Sequence, residues 1–212
     1  MIAVVVGGSG LTGSFLIQAL LADPSVSRVI ALGRKSLGLA DSKLVEVLIP
    51  DIGQLASVAS QLKGDLFFCC LGTTIKKAGT KEAFREVDFD GVVAFGNVAS
   101  GHRAKSLTVV SAMGANKGSQ IFYNRVKGET EAALEALPLA RLVIFRPALL
   151  VGPRQEFRLG ELIASKVLGP VAALLPSLSK NVVTDVPRLA TRMLEEGKRT
   201  GRGTYVVPAG LI

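Results

Sequence analysis

Residues 2–13 read IAVVVGGSGLTG, an apolar run that passes directly into a glycine-rich loop. Continuous Val and Ile side chains are typical of a strand that is covered on both faces, and the pattern LTGSFLIQALLA at 11–22 predicts a helix after the loop. The loop fits both G-x-G-x-x-G, counted from Gly8, and G-x-x-G-x-x-G, counted from Gly7. A strand, a glycine loop and a helix in this order are typical of dinucleotide-binding folds.

There is a physical reason for a glycine at each of these loop positions. One allows the tight turn after the strand, one lets the backbone approach a pyrophosphate, and one lets the helix pack closely on the strand. The helix N-terminus adds free N–H groups and a partial positive charge. Because no Gly-Lys-Ser/Thr follows, a nucleoside-triphosphate loop is excluded. The loop therefore predicts a pyrophosphate site, and a plain turn is the alternative.

The rest of the chain continues the alternation of apolar runs and helical patterns. It predicts strands at 28–33, 45–49, 65–72, 106–113, 140–147 and 204–208, and helices at 54–62, 81–103, 120–137 and 186–196. In the last helix, Thr184 or Asp185 can cap the N-terminus, with Pro187 in the first turn. This alternation predicts an α/β fold with a doubly wound parallel sheet, the Rossmann fold. The 212 residues fit a single domain over 1–212 with a short C-terminal extension.

Composition and charge narrow the classes of function. Hydrophobic residues make up 49% and charged residues 20%, which is typical of a globular protein with a substantial core. The net charge of +8 is spread along the chain without a basic stripe, aromatic residues are only 5%, and Trp is absent. These features argue against nucleic-acid binding and are compatible with a small anionic ligand.

The apolar segments predict neither export nor a membrane span. The opening MIAVVVGG has no basic leader, and the segment 167–178 is too short to cross a bilayer and contains two prolines. Cys69 and Cys70 are adjacent in a predicted strand, so their side chains point to opposite faces and suit buried free thiols. We therefore expect a soluble, cytoplasmic protein.

The end of the second predicted strand bears on the choice of cofactor. An NAD site usually has an Asp or Glu about 20 residues beyond the glycines, where it binds the ribose 2′-hydroxyl. Here the strand ends in Gly33-Arg34-Lys35-Ser36, without an acid. Because a guanidinium can bind a 2′-phosphate through two hydrogen bonds, NADP(H) is favoured over NAD(H). The alternative is that Arg34 and Lys35 are solvated loop charges.

A Tyr-x-x-x-Lys pair indicates acid–base chemistry. Tyr123 and Lys127 are four residues apart in a predicted helix, so both side chains lie on one face. A nearby ammonium favours the phenolate form of a tyrosine, which suits a general acid or base. Ser111 lies near the end of the fifth strand, at the edge where doubly wound folds bind ligands. We predict these three residues as catalytic, and a surface Tyr–Lys pair is the alternative.

These motifs together resemble a known superfamily. The loop GGSGLTG (7–13), Ser111 and YNRVK (123–127) are similar to the short-chain dehydrogenases/reductases, in their atypical branch. Longer segments resemble the Tat-interacting oxidoreductase-like group: CLGTTIKKAG (70–79), FREVDFD (84–90), VVSAMGANKGSQIFYNRVKGETE (109–131) and FRPALLVGPR (145–154). The resemblance covers most of the chain and implies a Rossmann-fold oxidoreductase with a nicotinamide cofactor.

The resemblance also implies which residues would contact that cofactor. Four loop residues would hold the pyrophosphate: Gly7, Gly10, Leu11 and Gly13. Arg34 would bind the 2′-phosphate, and Lys127 would bind the nicotinamide ribose in addition to its catalytic role. The other contacts would come from positions that follow strands, with Asp51 and Ile52 beside adenine, Leu71, Gly72 and Thr73 beside the ribose, and Pro147 and Leu149 near the carboxamide.

Two departures from the superfamily pattern concern proton transfer and the substrate domain. The usual Asn-Asn-Ala-Gly after the fourth strand is replaced by CLGTT at 70–74, and Asp88 and Asp90 stand where many relatives supply an Asn to a proton relay. The chain is also too short to contain the substrate domain of the sugar-nucleotide epimerases that share its glycine spacing. Epimerase activity is therefore not expected.

Two functions remain open. The first is an NADPH-dependent reductase of a small carbonyl compound, in which Tyr123 donates the proton, Lys127 assists it and Ser111 orients the reacting oxygen. The second is an NADP(H)-binding regulatory or interaction protein with little or no turnover. No metal site is expected, because His102 is the only histidine.

Two further expectations concern association and the substrate. The helices 81–103 and 120–137 carry small residues, and by the resemblance these helices imply a homodimer: Gly91, Gly96, Gly128, Ala132 and Ala133. Arg154 and Arg158 follow the sixth strand and could meet an anionic substrate, and solvated loop charges are the alternative.

Overall fold

A computed structural model describes residues 1–152 and 183–212 of the chain. Arg154, Arg158 and the apolar segment 167–178 lie outside the described residues, so the expectations about them stay predictions. None of the helices in the described part is long and apolar enough to cross a membrane.

The centre of the fold is a sheet of parallel strands. The strands of the described residues are β1 (Ile2–Val6), β2 (Arg28–Gly33), β3 (Leu44–Leu48), β4 (Leu66–Cys69), β5 (Ser106–Val110), β6 (Arg141–Arg146), β7 (Leu149–Val151), β8 (Val183–Asp185) and β9 (Gly203–Pro208). The order in the sheet is β3-β2-β1-β4-β5-β6-β9, and every pair in it is parallel. The order reverses direction at β1, as in a doubly wound fold, so the predicted Rossmann fold is confirmed.

Helices cover both faces of this sheet. They are α1 (Leu11–Ala22), α2 (Leu55–Val58), α3 (Ile75–Ala78), α4 (Lys81–Arg85), α5 (Gly91–Gly101), α6 (Phe122–Glu135) and α7 (Val186–Lys198). Within β1, Ala3 and Val5 pack in the core that α1 and α7 cover, whereas Val4 and Val6 pack in the core that α5 and α6 cover. Because both faces are buried, the strands read as continuous apolar runs.

The predicted helix 81–103 is not uniformly α-helical. Between α4 and α5 the residues Glu86–Asp90 form a π-helical segment, and the helix ends at Gly101. The next residues turn away, since Arg103 adopts a positive φ of 53°. π-helical segments inside α-helices are rare and often lie at functional sites, so this segment points to the site.

Other predicted elements differ from the structure at their boundaries. The predicted helix 54–62 consists of α2 between two 3-10 turns. There the Ser57 hydroxyl donates to the Gln54 carbonyl at 2.7 Å, a local bond that competes with a regular helix. Prediction missed α3, although Thr74 caps it by accepting from the Lys77 N–H at 3.1 Å. Asp185 caps α7 as predicted, accepting from the Arg188 N–H.

The strands β7 and β8 form a separate parallel pair that the sequence pattern did not reveal. The Ala148 N–H donates to the Thr184 hydroxyl at 3.0 Å. This pair therefore fixes the segment after β6, where Pro147 and Leu149 were predicted to contact a cofactor.

Three of the small residues on α5 and α6 pack against other parts of the same chain. A Cβ at Gly96 would lie 2.5 Å from the Leu134 side chain, and one at Gly128 would lie 2.2 Å from the Lys117 backbone. A Cβ at Gly91 would lie 2.8 Å from the Ile52 side chain. Close packing inside one chain accounts for these three glycines, and the homodimer stays a prediction.

Candidate cofactor and active site

The glycine loop is held in a conformation that other residues cannot adopt. Gly7 has a φ of +79°, and a Cβ there would lie 2.6 Å from the Cys70 carbonyl group. A Cβ at Gly13 would lie 2.2 Å from the Gly7 carbonyl oxygen, so Gly13 allows α1 to pack against the loop. Gly10 precedes α1 without a side-chain cap. The first-turn N–H groups of α1 therefore stay available to an anion at this end.

A cleft of about 1730 Å³ runs along the carboxyl ends of the central strands. All the predicted site residues except Gly13 line it: Gly7, Gly10, Leu11, Arg34, Asp51, Ile52, Leu71, Gly72, Thr73, Ser111, Tyr123, Lys127, Pro147 and Leu149. Gly13 lies behind the loop and supports it. Residues that are far apart in sequence thus border one continuous space.

At the end of the cleft near β2, Arg34 is a cation without a partner among the described residues. Arg34 is exposed and lines the cleft, and no hydrogen bond or ion pair joins it to the part of the chain that the structure describes. The nearby acid, Glu46 on β3, accepts instead from the Ser36 hydroxyl at 2.7 Å and from the Leu37 N–H at 2.5 Å. Asp51 caps the turn that follows β3 by accepting from the Gly53 N–H at 2.8 Å.

At the opposite end, the π-helical segment presents Asp88 to the cleft. One carboxylate oxygen of Asp88 accepts from the Thr73 N–H at 2.8 Å, and the other lies 2.8 Å from the Lys127 ammonium. The side chains of Asp88 and Lys127 are 0% and 6% exposed. The Thr130 hydroxyl donates to the Asp88 backbone carbonyl at 2.9 Å, which ties the segment to α6. The sequence indicates Asp88 as a departure from the superfamily pattern, but the ion pair with Lys127 was not predicted.

The pKa of Lys127 is raised above its ordinary value. Burial lowers it, but the charge of Asp88 and the nearby Tyr123 phenol raise it by more. Lys127 is therefore held as a cation whose charge is balanced mainly by Asp88. The Tyr123 ring lies one helical turn before Lys127 and packs against Phe84, with 5.7 Å between ring centroids.

Ser111 is the third predicted catalytic residue, and its hydroxyl is already engaged. It donates to a carboxylate oxygen of Glu131, a residue of α6 that is 5% exposed. Arg146, at the end of β6, binds the same carboxylate with two donors, at 3.1 and 2.5 Å. Glu131 was not among the site residues predicted from the sequence. The spacing Tyr-x-x-x-Lys-x-x-x-Glu on one helix face was the signal that could have identified it.

The remaining titratable candidates have structural surroundings. A ring nitrogen of His102 hydrogen-bonds with the Ala59 carbonyl at 2.8 Å, and its ring stacks on Phe67. Burial raises the pKa of the Cys69 thiol to about 12 and also raises that of Cys70. Among residues 1–152 and 183–212, no cluster of acidic, histidine or cysteine side chains could hold a metal ion.

Comparison with known proteins gives the family. No family model matches the chain. "Protein HTATIP2" of Rattus norvegicus is 35% identical over 195 residues, which cover 85% of this chain and 80% of the rat protein. The chain belongs to the HTATIP2 family. This is the Tat-interacting oxidoreductase-like group of atypical short-chain dehydrogenases/reductases, so the family inferred by resemblance is confirmed.

A fungal member of the family corrects one expectation. "Protein fmp52, mitochondrial" of Emericella nidulans is 30% identical over 212 residues, covering 97% of this chain and 90% of the fungal one. A second fungal relative, from Aspergillus terreus, is also named mitochondrial. The predicted cytoplasmic location is therefore wrong. The prediction relied on the sequence pattern of the opening residues, and the names of these relatives overturn it.

Solved structures share the fold of this HTATIP2 family member. A short chain dehydrogenase family protein from Francisella tularensis has a TM-score of 0.70 at 15% identity, covering 99% of this chain and 98% of that one. MoeE5 in complex with UDP-glucuronic acid and NAD has a TM-score of 0.74 at 18% identity, covering 99% and 76%. At these identities the likeness shows the Rossmann fold alone.

Proposed function

We propose that this protein is an NADP(H)-dependent oxidoreductase that reduces a carbonyl compound with Ser111, Tyr123 and Lys127. The observation that carries the proposal is the single cleft that joins the glycine loop to these three side chains. A perturbed lysine beside a tyrosine in a cleft is more typical of an active site than of a solvated surface.

The residues present fit a dinucleotide. The glycine loop leaves the N-terminus of α1 open to a pyrophosphate, with Gly7, Gly10 and Leu11 at its rim. Asp51 and Ile52 would border adenine, Leu71, Gly72 and Thr73 the adjoining ribose, and Pro147 and Leu149 the carboxamide. When bound, the reduced nicotinamide supplies a hydride to the carbonyl carbon.

The preference for NADP(H) rests on the charges at the end of β2. Arg34 is a guanidinium without a described partner, and Glu46 is occupied by Ser36 and Leu37. Glu46 is also absent from the residues that line the cleft, so it is poorly placed to accept from a ribose 2′-hydroxyl. A 2′-phosphate would instead find a free cation, with Lys35 beside it.

In this mechanism Tyr123 delivers the proton. Its phenol would donate to the carbonyl oxygen as negative charge develops there. The Lys127 ammonium stabilises the phenolate that remains, and Asp88 holds the ammonium in position from the π-helical segment. Because Asp88 balances part of that charge, the phenolate receives less stabilisation than from a lone ammonium.

The second candidate is an NADP(H)-binding regulatory protein with little turnover. The ion pair between Lys127 and Asp88 favours it, since it reduces the positive charge available to the phenol. The reductase is preferred because a protein that only senses the cofactor has no need of a tyrosine and a buried ammonium in the same cleft.

One measurement tests the cofactor preference, and a second separates the two candidates. A thermal-shift titration should show stronger stabilisation by NADPH than by NADH, and a panel of aldehydes and ketones should reveal NADPH oxidation. Tyr123→Phe should keep NADPH affinity and lower turnover by about 100-fold or more. Tighter binding of NADH contradicts the cofactor preference. NADPH binding without oxidation across the panel, or full turnover in Tyr123→Phe, contradicts the reductase.

A further inference from the structure

The inner face of α6 carries a third polar side chain, Glu131, beyond Tyr123 and Lys127. Glu131 follows Lys127 by one helical turn, so the phenol, the ammonium and this carboxylate lie in one row. Asp88 is the partner of Lys127, whereas the partners of Glu131 are Ser111 and Arg146. The proposed mechanism does not use Glu131.

The contacts of Ser111 determine what its hydroxyl can offer. The carboxylate of Glu131 is an acceptor only, and Arg146 binds it through two donors. The single hydrogen of the Ser111 hydroxyl must therefore point to Glu131. What remains of the hydroxyl is its lone pairs, which accept hydrogen bonds. The Ser111 N–H donates to the Phe145 carbonyl at 2.7 Å, which holds the backbone in place.

We propose that Glu131 is a positioning residue that turns the Ser111 hydroxyl into a hydrogen-bond acceptor toward the cleft. The proposal rests on the proposed reductase function and refines it. Ser111 then does not donate to the carbonyl oxygen, a task that falls to Tyr123. Once Tyr123 has delivered its proton, the single hydroxyl hydrogen of the product alcohol turns from the phenolate oxygen to the Ser111 oxygen, which accepts it.

The fold contains a matched control for this pair. Arg141 and Glu196 form a second buried Arg–Glu ion pair at 2.9 Å, with side chains 3% and 8% exposed. Neither residue lines the cleft. Glu196 also lies 3.5 Å from Arg192 and 3.0 Å from Arg199, so Glu196→Gln removes a buried carboxylate charge from a set of Arg–Glu contacts without touching Ser111.

The first test needs no turnover. In Ser111→Cys the introduced thiol would hydrogen-bond to Glu131, and its alkylation by iodoacetamide is followed against pH. The parent protein supplies the background of Cys69 and Cys70, whose raised pKa values keep them slow to react. Adding Glu131→Gln should move the alkylation midpoint down by about one pH unit, because a neighbouring anion is lost. Adding Glu196→Gln should not move it. An unchanged midpoint with Glu131→Gln overturns the proposal.

The second test is a double-mutant cycle on turnover of a carbonyl compound from the panel. Ser111→Ala and Glu131→Gln should each lower kcat about tenfold, and the double variant should lose no more than either one. Additive losses would show that Glu131 acts independently of Ser111 and overturn the proposal. Glu196→Gln should leave kcat unchanged. If Glu131→Gln does not fold, Glu131→Asp keeps the charge but withdraws the acceptor, with the same expected pattern.

The two tests fail in distinguishable ways. If no panel compound is reduced, the proposed reductase function fails, while the thiol titration still decides whether Glu131 controls the group at position 111. If turnover is present but the thiol midpoint does not move, the reductase stands and the positioning role is wrong.

Discussion

At the glycine-loop end, the cleft is bordered mainly by the backbone of residues 7–13, with Arg34 as the charged side chain beside it, whereas the other end is bordered by side chains from separate segments. The first end depends on residues that have no side chain, because a Cβ at Gly7 or Gly13 would overlap the backbone. The second end depends on charge pairs, with Asp88 on Lys127 and Glu131 on Ser111. One end is therefore sensitive to added volume, and the other to removed charge.

The largest expected effect comes from adding volume to the loop. In Gly13→Ala the new methyl group would lie 2.2 Å from the Gly7 carbonyl oxygen, so α1 must move away from the loop. We expect a loss in the free energy of unfolding on the order of 3 kcal/mol, together with loss of NADPH-dependent thermal stabilisation. Urea denaturation and a thermal-shift titration measure both effects.

Gly38→Ala is the control for this prediction. Unlike Gly13, Gly38 adopts a positive φ of +67°, and no atom lies within 4 Å of a Cβ placed there, so its substitution strains the backbone without a packing overlap. Gly38→Ala should lower the free energy of unfolding by less than Gly13→Ala does, and it should leave NADPH binding intact. Equal effects of the two substitutions would contradict the role of close packing at Gly13.

A smaller effect is expected from Arg34, the charged residue at the loop end. Arg34→Ala should weaken NADPH binding by about 10- to 100-fold, as expected for one charged hydrogen-bond partner, and leave NADH binding nearly unchanged. Isothermal titration with each cofactor measures the difference. Equal weakening for both cofactors would mean that Arg34 does not contact the 2′-phosphate.

The charge pair at the other end can be tested without a substrate. The chain has two Tyr and no Trp, so in a Tyr205→Phe background the tyrosinate absorbance reports Tyr123 alone. Asp88→Asn removes the charge that keeps the buried Lys127 protonated, so Lys127 should lose its proton more easily and stabilise a phenolate less. The tyrosinate band should therefore shift in the same direction as in Lys127→Met in the same background. A midpoint that does not move with Asp88→Asn would show that Asp88 does not control the charge near Tyr123.

The smallest expected effect comes from Asp23, which lies away from both ends of the cleft. Hydrogen bonds from Lys198 and Ser25 lower the pKa of Asp23 to about 2, from 3.8 in the unfolded chain. The carboxylate therefore stabilises the fold above about pH 4, and this contribution is lost as the pH falls toward 2. Asp23→Asn should reduce the free energy of unfolding at pH 7 by less than about 1 kcal/mol. The difference in the free energy of unfolding between variant and parent should disappear in acid, while NADPH binding stays unchanged.

How far the site could be predicted from sequence depends on the range of the interactions. The turn at Gly7, the N-terminus of α1 and the shared face of Tyr123 and Lys127 follow from short spacings, and the structure places these residues as expected. The ion pair of Asp88 could not be read in the same way, because it requires a π-helical segment in which the usual helical spacing fails. The helix α3 was missed because a single turn is too short to show a period.

The sequence by itself determined the α/β class, the glycine loop and the family, since hydrophobic period and local backbone sterics act over a few neighbouring residues. Only the tertiary structure decided that Asp88 balances Lys127, that Glu131 takes the hydrogen of Ser111, and that Gly96 and Gly128 serve packing within the chain. These outcomes depend on which segments meet across the sheet. Because a buried charge or hydroxyl without a partner is costly, these side chains pair with groups from other segments of the chain.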